Sequence, residues 1–257
     1  MYYMESKFIH RVSKGSRFNQ IYIPKEMEKT FEIGDIVSVE LIRKNQQIYL
    51  KNAKLSEFKE KLIREISSFL SDFKEIKQVF LVGSFITQKI DYRDIDLLII
   101  TKENKTNETE IYSKLIDKFN LKFHVIAISE EKFTRLSEIC PLTRNMLSSY
   151  VSNKEFTLPK SKLDKNHIRF LMMMPEDLLK IKANSRTFYD SIRRLVAIEK
   201  FLDNNESSEE VSKELKQILG NSFEYLKNNE EISKETINRL RKIIKEKLNN
   251  ITALLKK

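Results

Sequence analysis

The chain has 257 residues, enough for one large domain or two to three small ones, and its 40% hydrophobic and 33% charged residues leave material for buried cores. No apolar run is long enough to cross a bilayer, a single cysteine (Cys140) excludes an internal disulfide framework and a Cys-rich zinc site, and none of the three histidines pair at metal-ligand spacing. The formal net charge is +10, with the basic excess in the two flanks and a nearly balanced middle; that suits a polyanionic partner such as nucleic acid, and equally a Lys-rich solvated surface.

The start, MYYMESKFIH, has charges where the apolar core of a signal peptide would stand, so a cytoplasmic location is expected. Residues 8–53 read as short strands. Val12, Ile21, Ile23, Ile36, Val37, Val39, Leu41, Ile48 and Leu50 fall in brief apolar–polar runs. Gly15, Pro24, Gly34 and Asn45 punctuate them, and only a turn or two of helix fits, at Lys25–Lys29. At 55–73 the period becomes helical, with Leu55, Phe58, Leu62, Ile66, Phe69 and Phe73 recurring. Strands follow at Val79–Val82, Asp96–Ile100 and Leu121–Ile128, with a helix at about Glu108–Phe119 between the last two. This alternation is an α/β pattern. From about Ser161 the helical period dominates. Pro159 and Pro175 are read as breaks, and Glu176–Leu202, Ser208–Leu219 and Ser233–Leu255 as amphipathic helices. The Met172–Met174 run reads as core or hinge packing.

The segment VFLVGSFITQKIDYRDIDLLII, residues 79–100, carries the chemistry. Gly83 and Ser84 end an apolar strand and precede an expected helical turn, a setting that offers backbone N–H groups and a hydroxyl to an anion. Asp94 and Asp96 open the next strand, and side chains two apart on a strand share a face. Two carboxylates so placed repel unless a cation sits between them, most naturally Mg²⁺ bridging a triphosphate. An anion cradle, metal ligands and an acceptor-activating base are the parts that phosphoryl-type transfer asks for. Each half alone is also compatible with an ordinary turn or a solvated strand edge.

This stretch resembles the GS…D-x-D signature of the DNA polymerase β nucleotidyltransferase superfamily, over residues from about 55 to 130. The resemblance implies that Gly83 and Ser84 contact nucleotide phosphates and that Asp94 and Asp96 bind the metal, Mg²⁺ or Mn²⁺, with an NTP as substrate. The family often has Arg-Gly after GS and Ser before the first Asp; here those neighbourhoods read Thr87-Gln88 and Arg93. It usually has a third carboxylate on the third strand, and in LKFHVIAI the matching position is His124. A neutral imidazole serves as a general base near neutral pH but is a poor ligand for Mg²⁺.

The N-terminal stretch supplies Ser13-Lys14-Gly15, Ile23-Pro24, Gly34-Asp35 and an expected strand at Ile36–Leu41. It resembles the AbrB/SpoVT-type swapped-hairpin DNA-binding module, with Arg17-Phe18-Asn19 lengthening the first turn. The resemblance implies a homodimer that exchanges hairpins, since about 45 residues of short strand bury little core alone. Arg11, Lys14, Arg17 and Lys25 then double across the two-fold as a basic face for DNA. In the C-terminal helices Lys182, Arg186, Arg193 and Lys200 form a row that either lines the cleft or is a solvated face. No histidine follows His167, so the Arg-x4–6-His ribonuclease motif of some helical partners is absent.

The expected fold class is thus mixed α+β and α/β in three parts: a β-rich swapped-hairpin domain at 1–53, a nucleotidyltransferase domain with a mixed sheet at 54–160, and a helical domain at 161–257. The expected function is metal-dependent transfer of an NMP group from an NTP to an acceptor hydroxyl, coupled to a DNA-binding dimer and with no membrane partner. Two other readings compete with it. One is a DNA-binding regulator or antitoxin whose nucleotidyltransferase domain is not catalytic; the other is a pure dimerisation scaffold.

Overall fold

The computed structural model describes residues 8–40, 46–90, 92–102 and 107–256, and the chain divides into two units, residues 1–44 and 45–257. In the first unit β1 (Ser13–Lys14) and β2 (Asn19–Gln20) form a small antiparallel hairpin. Gly15 closes it by donating its N–H to the Phe18 carbonyl at 2.9 Å. A side chain at Gly15 would meet that same oxygen at 2.5 Å, so the turn requires glycine. Pro24 leads into a single 3-10 turn at Lys25–Met27, where the sequence allowed a turn or two of helix. The strand expected at Ile36–Leu41 does not form over 36–40, and Leu41 lies outside the described residues. A strand needs a neighbour for its row of N–H and C=O groups, and none of the described residues in this unit pairs with 36–40. Ile9, Phe18, Ile33, Ile36 and Val39 remain exposed.

In the second unit α1 (Glu57–Ser71) starts at Ser56, whose hydroxyl accepts the Lys59 N–H. It buries Lys59, Ile63, Ile66, Ser67 and Leu70, while Phe58, counted above with the apolar stripe, is exposed. The sheet comprises β3 (Tyr49–Lys51), β4 (Ile76–Val82), β5 (Ile95–Thr101), β6 (Phe123–Ser129) and β7 (Tyr150–Ser152), in the order β3-β7-β4-β5-β6. Strands β5 and β6 are parallel, joined over α2 (Glu108–Phe119), and the other pairings are antiparallel. Both faces are covered, which is why the central strands read as continuous apolar runs. Val79, Leu81, Ile95, Leu97, Ile99 and Phe123 pack with α1 and α2 in one core. Phe80, Val82, Leu98 and Ile100 pack with Phe133 and Tyr150 in another.

Residues 130–158, unassigned from the sequence, form α3 (Glu130–Ile139), α4 (Pro141–Met146) and β7. The helical region holds α5 (Lys165–Asp177), α6 (Ser185–Leu202), α7 (Ser208–Leu219), α8 (Ser222–Lys227) and α9 (Lys234–Leu254). Pro175 lies inside α5 rather than ending a run, and the helix expected at Glu176–Leu202 begins only at Ser185, capped by Asn184. Proline removes the N–H that would bond the carbonyl four residues back, and that carbonyl, Leu171 O, instead accepts from Arg194 at 3.3 Å. Buried Arg144 of α4 bonds Ser137 O and Pro159 O and pairs with Glu206 at 2.6 Å, tying the end of the sheet region to the helices. Among the described residues no helix is long and apolar enough to cross a membrane.

Candidate active site

The pleat of β5 decides which side chains meet. Ile95, Leu97 and Ile99 face the core under α1 and α2, so Asp96 falls on the opposite face with Leu98 and Ile100. Asp94, two residues earlier, stands just before the strand. On the parallel neighbour β6 the register pairs Asp96 with His124. Their side chains meet, His124 Nδ1 lying 3.0 Å from Asp96 Oδ1. On the other side Val82, the last residue of β4, pairs with Asp96, and Gly83 follows at once. Gly83 has φ +78°, and a Cβ there would sit 2.1 Å from Asp96 Oδ2. The Asp96 carboxylate is therefore held between the glycine turn and the imidazole, one oxygen toward each.

Of the expected site residues, the fold brings Gly83, Asp96 and His124 into contact. Asp94 is near enough for its charge to act on Asp96. Ser84 is exposed on the same turn, where its carbonyl accepts from the Thr87 N–H and hydroxyl at 3.2 and 2.7 Å. The helical turn expected after Gly83-Ser84 is a single i→i+3 hydrogen-bonded turn, Ser84 to Thr87, that does not continue into a helix. Burial pushes the Asp96 carboxyl pKa up, and Asp94 adds to it; the His124 hydrogen bond and charge, and then Arg193, oppose the rise.

In the basic row of the C-terminal helices, Arg186, Arg193 and Lys200 stand seven residues apart on one side of α6, each in a different setting. Lys182 lies ahead of α6. Arg186 donates to Lys227 O at 2.8 Å, pairs with Asp190 and stacks over Tyr189. Lys200 pairs with Glu214 at 2.8 Å. Arg193 is exposed on α6, and its charge acts to lower the pKa of both Asp96 and Tyr189. Arg93, beside Asp94, reaches Asn228 Oδ1 at 2.9 Å. Arg11, Lys14, Arg17 and Lys25 are all exposed in the N-terminal unit. One contributor went unread in the sequence: Lys59 of α1, which lies in line with Ile63, Ile66 and Leu70 on the buried side of the helix and reaches into the chain after Ser84. A lysine on an apolar stripe was the available signal.

The donor set fits a hard divalent cation. Asp94 and Asp96 offer oxygen ligands whose mutual repulsion a cation relieves, and Mg²⁺ is commonly held by one or two carboxylates with substrate phosphates completing its shell. Among the described residues no group of three or more His, Cys, Asp or Glu converges as a self-sufficient metal cage.

Residues 64–144 match the family model described as polymerase beta, nucleotidyltransferase. The match runs from within α1 to α4 and contains Gly83, Ser84, Asp94, Asp96 and His124. That family's chemistry is nucleotidyl transfer. No curated protein matches the chain.

Proposed function

We propose that the chain transfers an NMP group from an NTP to an acceptor hydroxyl, using Mg²⁺ or Mn²⁺ held by Asp94 and Asp96. The observation that supports this best is the Asp96 carboxylate held between Gly83 and His124. The cation, when bound, neutralises charge on the triphosphate oxygens. Gly83 and Ser84 hold the phosphates by backbone N–H and hydroxyl. With Nδ1–H donated to Asp96, the exposed His124 keeps its lone pair on Nε2 and accepts the acceptor's proton there. The acceptor oxygen then bonds to the α-phosphorus, the bond from that phosphorus to the bridging oxygen breaks, and pyrophosphate leaves. Incubation with each labelled NTP and Mg²⁺ or Mn²⁺ should release pyrophosphate, and Asp94→Asn and Asp96→Asn should each abolish it. A wild-type chain that binds NTP without turnover would instead support the regulator reading, with a non-catalytic domain.

The N-terminal unit supports a second role. Its exposed Ile9, Phe18, Ile33, Ile36 and Val39 suit burial against a second copy exchanging hairpins. Arg11, Lys14, Arg17 and Lys25, also exposed, suit DNA phosphates. Replacing those four by Gln in the full chain should remove a salt-sensitive gel shift and leave nucleotide binding intact. An unchanged shift would reassign the DNA contact to the C-terminal helices.

A further inference from the structure

We infer that Lys59 is a positioning residue for the phosphate-binding turn, holding the chain after Ser84 so that its amides face outward. The inference rests on the nucleotidyl-transfer reading for what those amides hold. Lys59 is only 6% exposed, and its ammonium has exchanged water for a made-to-measure set of partners. Nζ donates to the carbonyls of Thr87 and Lys89, each at 2.7 Å. It also lies 5.2 Å from the centre of the Phe85 ring and 5.3 Å from that of Tyr92, and these rings meet edge to face at 4.8 Å. One cation thus gathers side chains and carbonyls from both sides of the turn that separates Ser84 from Asp94.

The two bonds fix two peptide planes. None of the described peptide bonds is cis, and in a trans peptide the N–H points opposite to the C=O. With the Thr87 and Lys89 carbonyls drawn toward α1, the N–H groups of Gln88 and Ile90 are turned away from it. Both residues are exposed, Ile90 at 92%. Two outward amides just past Gly83-Ser84 are donors suited to phosphate oxygens. The family's usual Arg-Gly is replaced here by Thr87-Gln88, so backbone donors held by Lys59 take over part of the anion grip.

Two measurements on the full chain separate this role from plain stability. Lys59→Met keeps the apolar stem and removes the donors; Lys59→Arg keeps a cation. The first measurement is the trypsin cleavage rate after Lys89, read by mass spectrometry, because the scissile carbonyl is one that Lys59 holds. The second is affinity for Mg²⁺ with ATP, GTP, CTP or UTP, taken well below the melting midpoint. Lys59→Met should speed cleavage after Lys89 roughly tenfold through local opening, with other sites unchanged. It should weaken nucleotide binding by about 10- to 100-fold, as loss of a residue that orients ligands does. Lys59→Arg should recover part of both. Unchanged cleavage after Lys89 in a folded Lys59→Met chain overturns the clamp. Faster cleavage with nucleotide affinity within about twofold of wild type overturns its phosphate role. Failure of the wild type to bind any NTP removes the nucleotidyl-transfer reading and the phosphate role with it, while the cleavage comparison still decides the clamp.

Discussion

Replacing Gly83 by alanine perturbs the site through one methyl group, and the structure sets the size of the effect. The residue sits at φ +78°, where an L side chain costs about 1–2 kcal/mol. The added Cβ would lie 2.1 Å from Asp96 Oδ2 and 3.1 Å from its Cγ. Ordinary carbon contacts begin near 3.5 Å, so the carboxylate must withdraw by about 1 Å or more. It is the free end of a side chain and is able to rotate, so the fold survives. Rotation takes Oδ2 out of the turn and Oδ1 off His124. At a chain of this size the strain lowers the melting temperature by roughly 2–8 °C. Displacement of about 1 Å at a reacting centre costs on the order of a hundredfold in turnover. Thermal unfolding, calorimetric titration with Mg²⁺ and NTP, and pyrophosphate release measure the three consequences. A folded Gly83→Ala chain with wild-type nucleotide affinity and turnover would show that the Gly83–Asp96 contact is not the centre of the site.

His124→Ala should lose turnover and keep nucleotide binding, because Asp94 and Asp96 remain; activity equal to wild type would remove His124 as the base. His124→Asp should keep or raise Mg²⁺-dependent transfer, since a carboxylate suits that ion better than an imidazole does. Asp96→Asn should leave stability at neutral pH unchanged or slightly raised, since burial and Asp94 both disfavour the charged carboxyl, and a large drop on thermal unfolding would refute that account. His167 has Nε2 buried without a partner among the described residues, and burial lowers its pKa from 6.5. The unfolded chain therefore takes up the proton first: this contribution to stability is complete above pH 6.5 and is lost as pH falls below it. Denaturant melts between about pH 7 and pH 5 should show that loss in wild type and not in His167→Phe.

What the sequence disclosed and what it concealed have physical causes. Strands β4 and β5 were legible because a sheet buried on both faces leaves unbroken apolar runs, and the Gly-Ser and paired aspartates stand at their ends; β6, at the sheet edge and only partly buried, was legible from its own apolar residues around His124. Strand β7 was not, because it is three residues long and finds its partners β3 and β4 far back in the chain, with Val151 paired to Leu50 on one side and Leu81 on the other. Pro175 misled because a helix interrupter is harmless once a distant guanidinium takes up the orphaned carbonyl, and periodicity carries no sign of Arg194 doing so. In sequence Lys59 shows only as a lysine on an apolar stripe, and Arg193 only as one member of a basic row. Their roles depend on which face of α1 and α6 the packing turns inward.

The two oxygens of Asp96 suggest how the substrates are arranged on the proposed reading. Oδ1 is engaged by His124, so that oxygen belongs with the acceptor and its proton. Oδ2 lies against Gly83, so it belongs with the cation and the phosphates gathered at the glycine turn. The nucleotide is then on the β4 side of Asp96 and the acceptor on the β6 side. Strand β6 is the last in the sheet order, and its Ala127 N–H is taken by the Glu108 carboxylate at 2.8 Å. The edge is thereby blunted against strand addition near Ala127, while His124, three residues earlier and exposed, stays open to an incoming hydroxyl. On that reading an acceptor approaching from this edge reaches Nε2 without displacing the nucleotide, and the charge of Arg193 on α6 favours the ionised form of Asp96.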